Sequence, residues 1–339
     1  MSRISQPVSG KHQQGVALIT AILLVAIATL IAAKLSWDNQ ISIRRTETTL
    51  NQEQARLIAL SGEAIAIDIL RLDDTPEFDY LGSDLWNSDG GLGPGVLPPW
   101  EIDIEEMTIG KFQGRLADAQ GRLNVNNLLP DPDAPPDPDV VGQFKELFNT
   151  LQLNPGLVDT IVDWIDADTV PLTSGAEDGS YTALDPGYRT ANNYMTSISE
   201  LRAVNGIDEE TFQLLKPHLT ALHPDWCGGS GGITPVNLNY ASAEVMFAAS
   251  TTQDENIGLG GAEVLVEQRE NGGWESLDEI TGMPDELKNS NLVSVKTECL
   301  ALYVTVEIGS SVLSMYSLLD RSSSGDSDIV TRVRAYGLE

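Results

Sequence analysis

Histidine, cysteine and basic side chains are scarce in this chain. Among 339 residues only His12, His218 and His223 are histidines, and only Cys227 and Cys299 are cysteines. With no CxxC and no histidine cluster, zinc and thiol-redox motifs are absent. GxSxG, HExxH and the P-loop are missing too, and no GxGxxG is followed by an acidic residue at Rossmann spacing. Two carboxylates in a cleft could make a glycosidase, yet nothing marks a pair among the 50 acidic residues. These gaps leave little for general-base or nucleophilic catalysis, so the sequence reads as a non-enzyme.

The 20 basic residues against 50 acidic ones give a formal net charge of −30. Such a surface repels a phosphate backbone, which excludes nucleic acid as a partner. It suits hard cations such as calcium, although a solvated acidic surface accounts for most of the charges. The two cysteines stand 72 positions apart. They form one disulfide if the body of the chain lies outside the cytoplasm, or else stay as two buried thiols.

What is present begins with "GKHQQGVALITAILLVAIATLIAAKLSW". From Val16 to Ala33 no residue is charged and only Thr20 and Thr29 are polar, a length close to that of a membrane span. A secretory signal would carry an apolar stretch of roughly 7–15 residues and a small-x-small cleavage site. Here Lys34 follows "IAA" directly. Charge does not orient the segment, because Arg3 and Lys11 before it face Lys34, Arg44 and Arg45 after it. Beyond Trp37 the helical pattern continues through Ile41, Leu50, Leu57, Ile58, Ala64, Ile65 and Leu72, with no proline until Pro76. One helix of roughly 55 residues is implied, membrane-embedded in its first third and amphipathic in its last.

From Asp73 to Pro99 the composition turns to Gly, Pro, Asp and Ser, which reads as an irregular loop. Two strands follow, "EIDIEEMTIG" and "FQGRLADA", expected to form a hairpin across Gly110. From Asn124 to about Leu292 the pattern is helical. Alternating text returns in "CLALYVTVEIG", "SVLSMYSLLDR" and "DIVTRVRAYG", with turns at Gly309-Ser310 and Ser322–Gly325. Strands on both sides of a helical block suggest one sheet carrying an insertion. Within that block "GRLNVNNLL" and "TPVNLNYAS" echo one another, each placing N-x-N before a helix, where Asn is a good cap. Helix-hairpin-helix-like text follows each copy, but Asp208, Glu209 and Glu210 occupy the helix start that would otherwise hold phosphate.

The densest acidic cluster is "VDWIDADTVPLTSGAEDGSY", with Asp163, Asp166, Asp168, Glu177, Asp178 and Asp185 around it. Counted from Asp166 it has carboxylates at EF-hand positions 1, 3 and 12, but Val170 and Pro171 stand at positions 5 and 6, so a true EF-hand fails. Calcium held by a different loop, or a merely solvated acidic loop, are the two readings.

A short basic leader ending in Gly15, followed at once by an apolar helix that continues as an amphipathic one, resembles a type IV prepilin or pseudopilin leader. The whole chain is similar to the general secretion pathway protein K family, the large minor pseudopilins of type II secretion. "LADAQGRLNVNNLL", "IVDWIDAD", "ISELRAVNGID", "LLKPHLTALH" and "VNLNYAS" carry that resemblance in order. It implies cleavage by prepilin peptidase between Gly15 and Val16, so the leader is removed and the anchor stays, and methylation belongs to the same expectation. It implies an α+β pseudopilin fold, a long N-terminal helix packed on a small antiparallel sheet, with a large all-α insertion domain. The expected divisions are a leader over 1–15, a transmembrane part over 16–36, a periplasmic helix over 37–73, an α/β domain over 74–123 and 293–339, and the insertion over 124–292.

Most pseudopilins have glutamate at the fifth mature position, where this chain has Thr20. That glutamate is thought to pair with a neighbour's α-amine in hydrocarbon, a need that a subunit with nothing above it does not have. The resemblance therefore implies a single-pass inner-membrane protein with a periplasmic body at the tip of the pseudopilus. Its companions would be minor pseudopilins of the I and J classes, and its setting the secretin and the secreted substrates. Bound calcium is also implied, with Asp166, Asp168, Glu177 and Asp178 as the candidate ligands. The alternative is an acidic calcium-binding protein, secreted or anchored, unrelated to pili.

Overall fold

The computed structural model describes residues 13–72, 96–104, 107–251, 257–269, 273–322 and 329–337. Residues 1–12 of the expected leader and most of the expected loop after Asp73 lie outside them. The first element is a single helix, α1 (Gln13–Arg71), of 59 residues. No proline interrupts it and its start carries no acidic residue. Its lower part, from Val16 to Gln40, is exposed on every side. Its upper part buries Ala55, Ala59, Ala66 and Leu70 against a sheet. The small side chains let the axis come close, and at Gly62 a Cβ would run into the ring of Phe112.

Among the described residues the sheet has five antiparallel strands paired in sequence order, two from before residue 119 and three from after residue 298. Strands β1 (Val96–Ile104) and β2 (Met107–Asp118) precede the helical unit. This corrects two expectations. Val96 to Pro99 belong to a strand rather than a loop, tolerated because Pro98 and Pro99 sit on an edge strand beside a register shift. Gly110 is not the hairpin turn but lies inside β2, where a Cβ would collide with the carbonyl oxygen of Glu307. Close backbone approach, not turn geometry, requires glycine there.

Between β2 and the next sheet strand the chain builds a separate helical unit. Its elements are β3 (Leu123–Asn124), α2 (Pro138–Thr150), α3 (Leu157–Ile165), α4 (Asp178–Tyr181), α5 (Glu209–Leu215), β4 (Leu219–Thr220), β5 (Val236–Asn237), α6 (Ala243–Ala249), α7 (Leu259–Arg269), α8 (Asp285–Lys288) and β6 (Val293–Ser294). Phe144, Phe148, Tyr181 and Phe212 lie in a core of its own, distinct from the one under α1. Each such buried side chain contributes about 1.5–3 kcal/mol. The sheet then resumes with β7 (Cys299–Ile308), β8 (Ser311–Asp320) and β9 (Val330–Tyr336). β7 pairs directly with β2, so the sheet closes around the insertion. The turn between β7 and β8 is Gly309-Ser310, with Gly309 at φ +56, as its text suggests.

The insertion is not purely helical. β3 pairs with β4, and β5 with β6, both parallel and two residues long, too short to show a period in the sequence. These pairs explain the N-x-N echo. Asn124 and Asn237 each accept the N–H of the second Asn, as caps do. That second Asn reaches further. Asn126 accepts the Met195 N–H and donates to its carbonyl, and Asn239 does the same with Trp274. Met195 and Trp274 each precede a short 3-10 turn, Ile198–Ala203 and Leu277–Glu279. The unit thus repeats one arrangement twice, with two buried amides as its staples.

Candidate functional site

The first candidate is α1 itself. Among the described residues it is the one helix long and apolar enough to cross a membrane, and none of the described residues covers its apolar window. Thr20, expected to replace a glutamate, points its hydroxyl at the carbonyls of Val16 and Ala17, at 3.1 and 3.0 Å. It is satisfied inside its own helix and asks for no partner charge. Gly15 and Val16 lie within α1, with Gly15 near its start.

Higher up, α1 has two apolar faces. One packs on the sheet. The other carries Ile43, Leu50, Leu57 and, just beyond the helix end, Leu72, exposed by 57, 56, 64 and 67%. Spacings close to a heptad keep Ile43, Leu50, Leu57 and Ile65 on one side of the helix, as a helix–helix seam requires, and Leu72 follows directly after its last residue. A monomer gains nothing from such a stripe.

The second candidate is the acidic loop. α3 is strongly apolar on its buried side and carries Asp163, fully buried, close to its end. Asp166 caps that end and Glu177 stands at the start of α4, so the loop between them folds three carboxylates together. One oxygen from each of Asp163, Asp166 and Glu177 lies within 4.8 Å of the others. Both Asp163 oxygens lie 3.2 Å from the backbone nitrogen of Leu172, and a side chain on Gly175 would overlap that carboxylate. Asp166 Oδ1 and both Glu177 oxygens are buried with no partner among the described residues. Burial first, and the neighbouring acids second, push Asp166 up to about 6 and Glu177 up to about 7. Burial likewise raises Asp163.

Of the four ligands expected from sequence, Asp166 and Glu177 join this group. Asp168 stays outside it, with Oδ1 accepting the Val170 N–H at 2.7 Å and its charge acting on Asp166 and Glu177 from the side. Asp178 faces away, its Oδ1 taking the N–H and hydroxyl of Thr190 at 3.1 and 2.9 Å, with Arg189 at 3.5 Å from Oδ2. The carboxylate of this group that the sequence-based candidates leave out is Asp163. Its i, i+3 spacing to Asp166 at a helix end was the available signal, since that spacing puts two side chains on one face. An all-oxygen set with orphaned buried carboxylates fits a hard cation and gives no nitrogen or sulfur for a softer metal.

The two cysteines are joined as a Cys227–Cys299 disulfide, Cα to Cα 5.0 Å. It links the helical unit to the first residue of β7. Gln120 reinforces the same joint. Its Oε1 accepts the Glu298 and Cys299 N–H groups and its Nε2 donates to the Cys227 and Pro235 carbonyls. Beside it Asp118 accepts the Gln120 N–H and the Thr297 hydroxyl at 2.9 and 2.7 Å, and burial pushes it up to about 6.

Comparison with known proteins gives a consistent result. Two family models, both described as type II secretion system protein K, match residues 121–225 and 236–296. The type II secretion system protein K of Pseudomonas aeruginosa is 32% identical, over 96% of this chain and 94% of that protein. Its counterpart in Pectobacterium carotovorum is 31% identical over 92% and 93%. Among solved structures, the crystal structure of the GspK–GspI–GspJ complex from the type 2 secretion system of enterotoxigenic Escherichia coli matches with TM-score 0.68 at 23% identity, covering 87% of this chain and 100% of that one.

Proposed function

The chain belongs to the type II secretion system protein K family, and from that premise we propose that it is a minor pseudopilin seated at the tip of the pseudopilus. In this role it nucleates the filament with two other minor pseudopilins, of the I and J classes, for export of folded proteins across the outer membrane. The apolar stripe Ile43, Leu50, Leu57 and Leu72 carries the reading. It lies on the side of α1 that the sheet leaves open, where the helices of companion subunits would pack. The relative solved as a GspK–GspI–GspJ complex supports the choice of companions.

In this reading prepilin peptidase removes residues 1–15, Val16 becomes the N-terminus, and α1 holds the chain in the inner membrane with its body in the periplasm. A filament repeats its subunits closely, and a unit as bulky as residues 119–298 does not fit within that repeat. Thr20 agrees, since it needs no charge partner from a subunit above. Calcium is proposed as a structural ion held by Asp163, Asp166 and Glu177. It would supply the positive charge that lets three buried carboxylates stay ionised. The family role is structural, and no catalytic step is assigned.

The test is the mature N-terminus of the membrane-extracted protein with and without prepilin peptidase, followed by co-purification with the two companions. A start at Val16 that depends on the peptidase, with companions retained by the native chain and lost on Leu50→Asp plus Leu57→Asp, is the expected result. A start near Lys34 would mean a secreted acidic protein and would overturn the proposal.

A further inference from the structure

The outer face of the sheet, opposite α1, has a patch that assembly through α1 does not use. Leu300, Leu302, Val304, Val306 and Ile308 point to α1, so the alternate residues of β7 point away. On that outer face Arg115 of β2 is in register with Tyr303 of β7, and Tyr303 with Tyr316 of β8. The tyrosine ring centroids are 5.4 Å apart. Tyr303 is 41% exposed. Arg115 and Arg122 are both exposed, the second just past the end of β2 and near enough to Tyr316 and Asp118 for its charge to act on both. Among the described residues neither arginine has a hydrogen bond or an ion pair.

This is unusual for the molecule. With 50 acidic against 20 basic residues, carboxylates are abundant, yet these two guanidinium groups stay unpaired, among the described residues, around an aromatic pair. Asp118 is hydrogen-bonded to neither arginine, being half-buried and turned to Thr297, Gln120 and Gly121, and it acts on Arg122 only through the charge. Arginine takes carboxylates in a bidentate fork, and tyrosine offers large contact area at low entropic cost.

We propose that this face docks an extended acidic segment of a partner polypeptide, with Tyr303 and Tyr316 as the platform and Arg115 and Arg122 as its carboxylate holders. The layout selects a peptide over a compact anion. A phosphate needs donors that converge on one point, whereas here the charges flank an apolar platform, as suits a chain with spaced carboxylates. Because the body repels an acidic partner at long range while the patch attracts it locally, salt acts on the two terms in opposite senses. Binding is therefore only weakly salt-dependent, unlike that of a uniformly basic site.

The experiment uses the full chain in detergent and a fluorescein-labelled peptide with glutamates separated by valines, read by anisotropy. Expected are saturable binding of this peptide, none of its glutamine counterpart, and a loss of about tenfold in affinity for Arg115→Gln plus Arg122→Gln. Arg115→Lys plus Arg122→Lys retains part of the affinity, and Tyr303→Ser weakens it separately. Arg115 and Arg122 are exposed, so the melting temperature of the double variants should hold and their loss of binding would not reflect unfolding. No binding of the glutamate peptide, equal binding of the glutamine one, or no effect of the double variant would overturn the proposal. Full displacement by inorganic phosphate would also overturn it, reducing the patch to a bare anion site.

Discussion

Arg334 of β9 reaches across the sheet edge to Glu63 of α1, its Nε 2.9 Å from Glu63 Oε2. The same carboxylate takes the Ser317 and Thr331 hydroxyls, so one buried side chain fastens the helix to the two last strands. Burial alone would push Glu63 up. The hydrogen bonds from Arg334, Ser317 and Thr331 outweigh it and hold Glu63 below the usual glutamate range.

A depressed carboxylate contributes stability above its unfolded value and loses it as pH falls through the folded one. Glu63→Gln is expected to cost about 1–3 kcal/mol at neutral pH, the exposure of Arg334 keeping the loss below that of a fully buried pair. Its cost should shrink as the pH is lowered below about 4.5. Urea melts of native and variant protein at about pH 7 and pH 3 measure both effects, and an equal cost at the two pH values would deny Glu63 this role.

For the acidic loop, added calcium should raise the melting temperature of the native chain, by roughly 2.7 kcal/mol of stability at a hundredfold excess over Kd. Asp166→Asn or Glu177→Gln should abolish that rise. Glu177→Gln without calcium should melt higher than the native chain, because a buried repelling charge has gone. Asp178→Asn tests the geometry, since it loosens Thr190 but should leave a calcium response. If Asp178→Asn removes the response as completely as Asp166→Asn does, the ligand set is different.

Gly62→Ala pits two effects against one another. Alanine favours a helix over glycine by about 1 kcal/mol. At this position the new Cβ meets the buried Phe112 ring, and overpacking costs typically about 1–3 kcal/mol. A net loss is expected. A thermal melt showing a gain would mean that α1 can lift from the sheet at little cost.

Reducing the Cys227–Cys299 bond opens a loop of 72 residues' separation. The chain-entropy relation puts the loss on the order of 4 kcal/mol. Gln120 bridges the same joint through four backbone groups, so Cys227→Ala plus Cys299→Ala should still fold, with a lower melting temperature that Gln120→Ala lowers further. Additive losses would show the two fastenings to be independent.

Much of this molecule was legible along the chain. The uncharged run from Val16 to Ala33 and the lack of proline before Pro76 determine one long helix, because backbone hydrogen bonds in an apolar medium allow little else. Alternation in "CLALYVTVEIG" and "SVLSMYSLLDR" determines two strands, and acids at 208–210 remove the hairpin's use for phosphate. These are local properties, set by periodicity and charge within a few residues.

Other features needed the fold. Gly110 has the look of a turn and is a close approach, since what it approaches, Glu307, lies far along the sequence. The two-residue parallel strands that staple the insertion have no period to read. Asp163 outranks Asp168 and Asp178 at the acidic site because burial and direction, not spacing, decide which carboxylates meet. The sequence by itself determined the long apolar helix, the alternating strands after the insertion and the acidic character. The tertiary structure alone decided which distant groups share a pocket, because that depends on long-range closure of the sheet around its insertion.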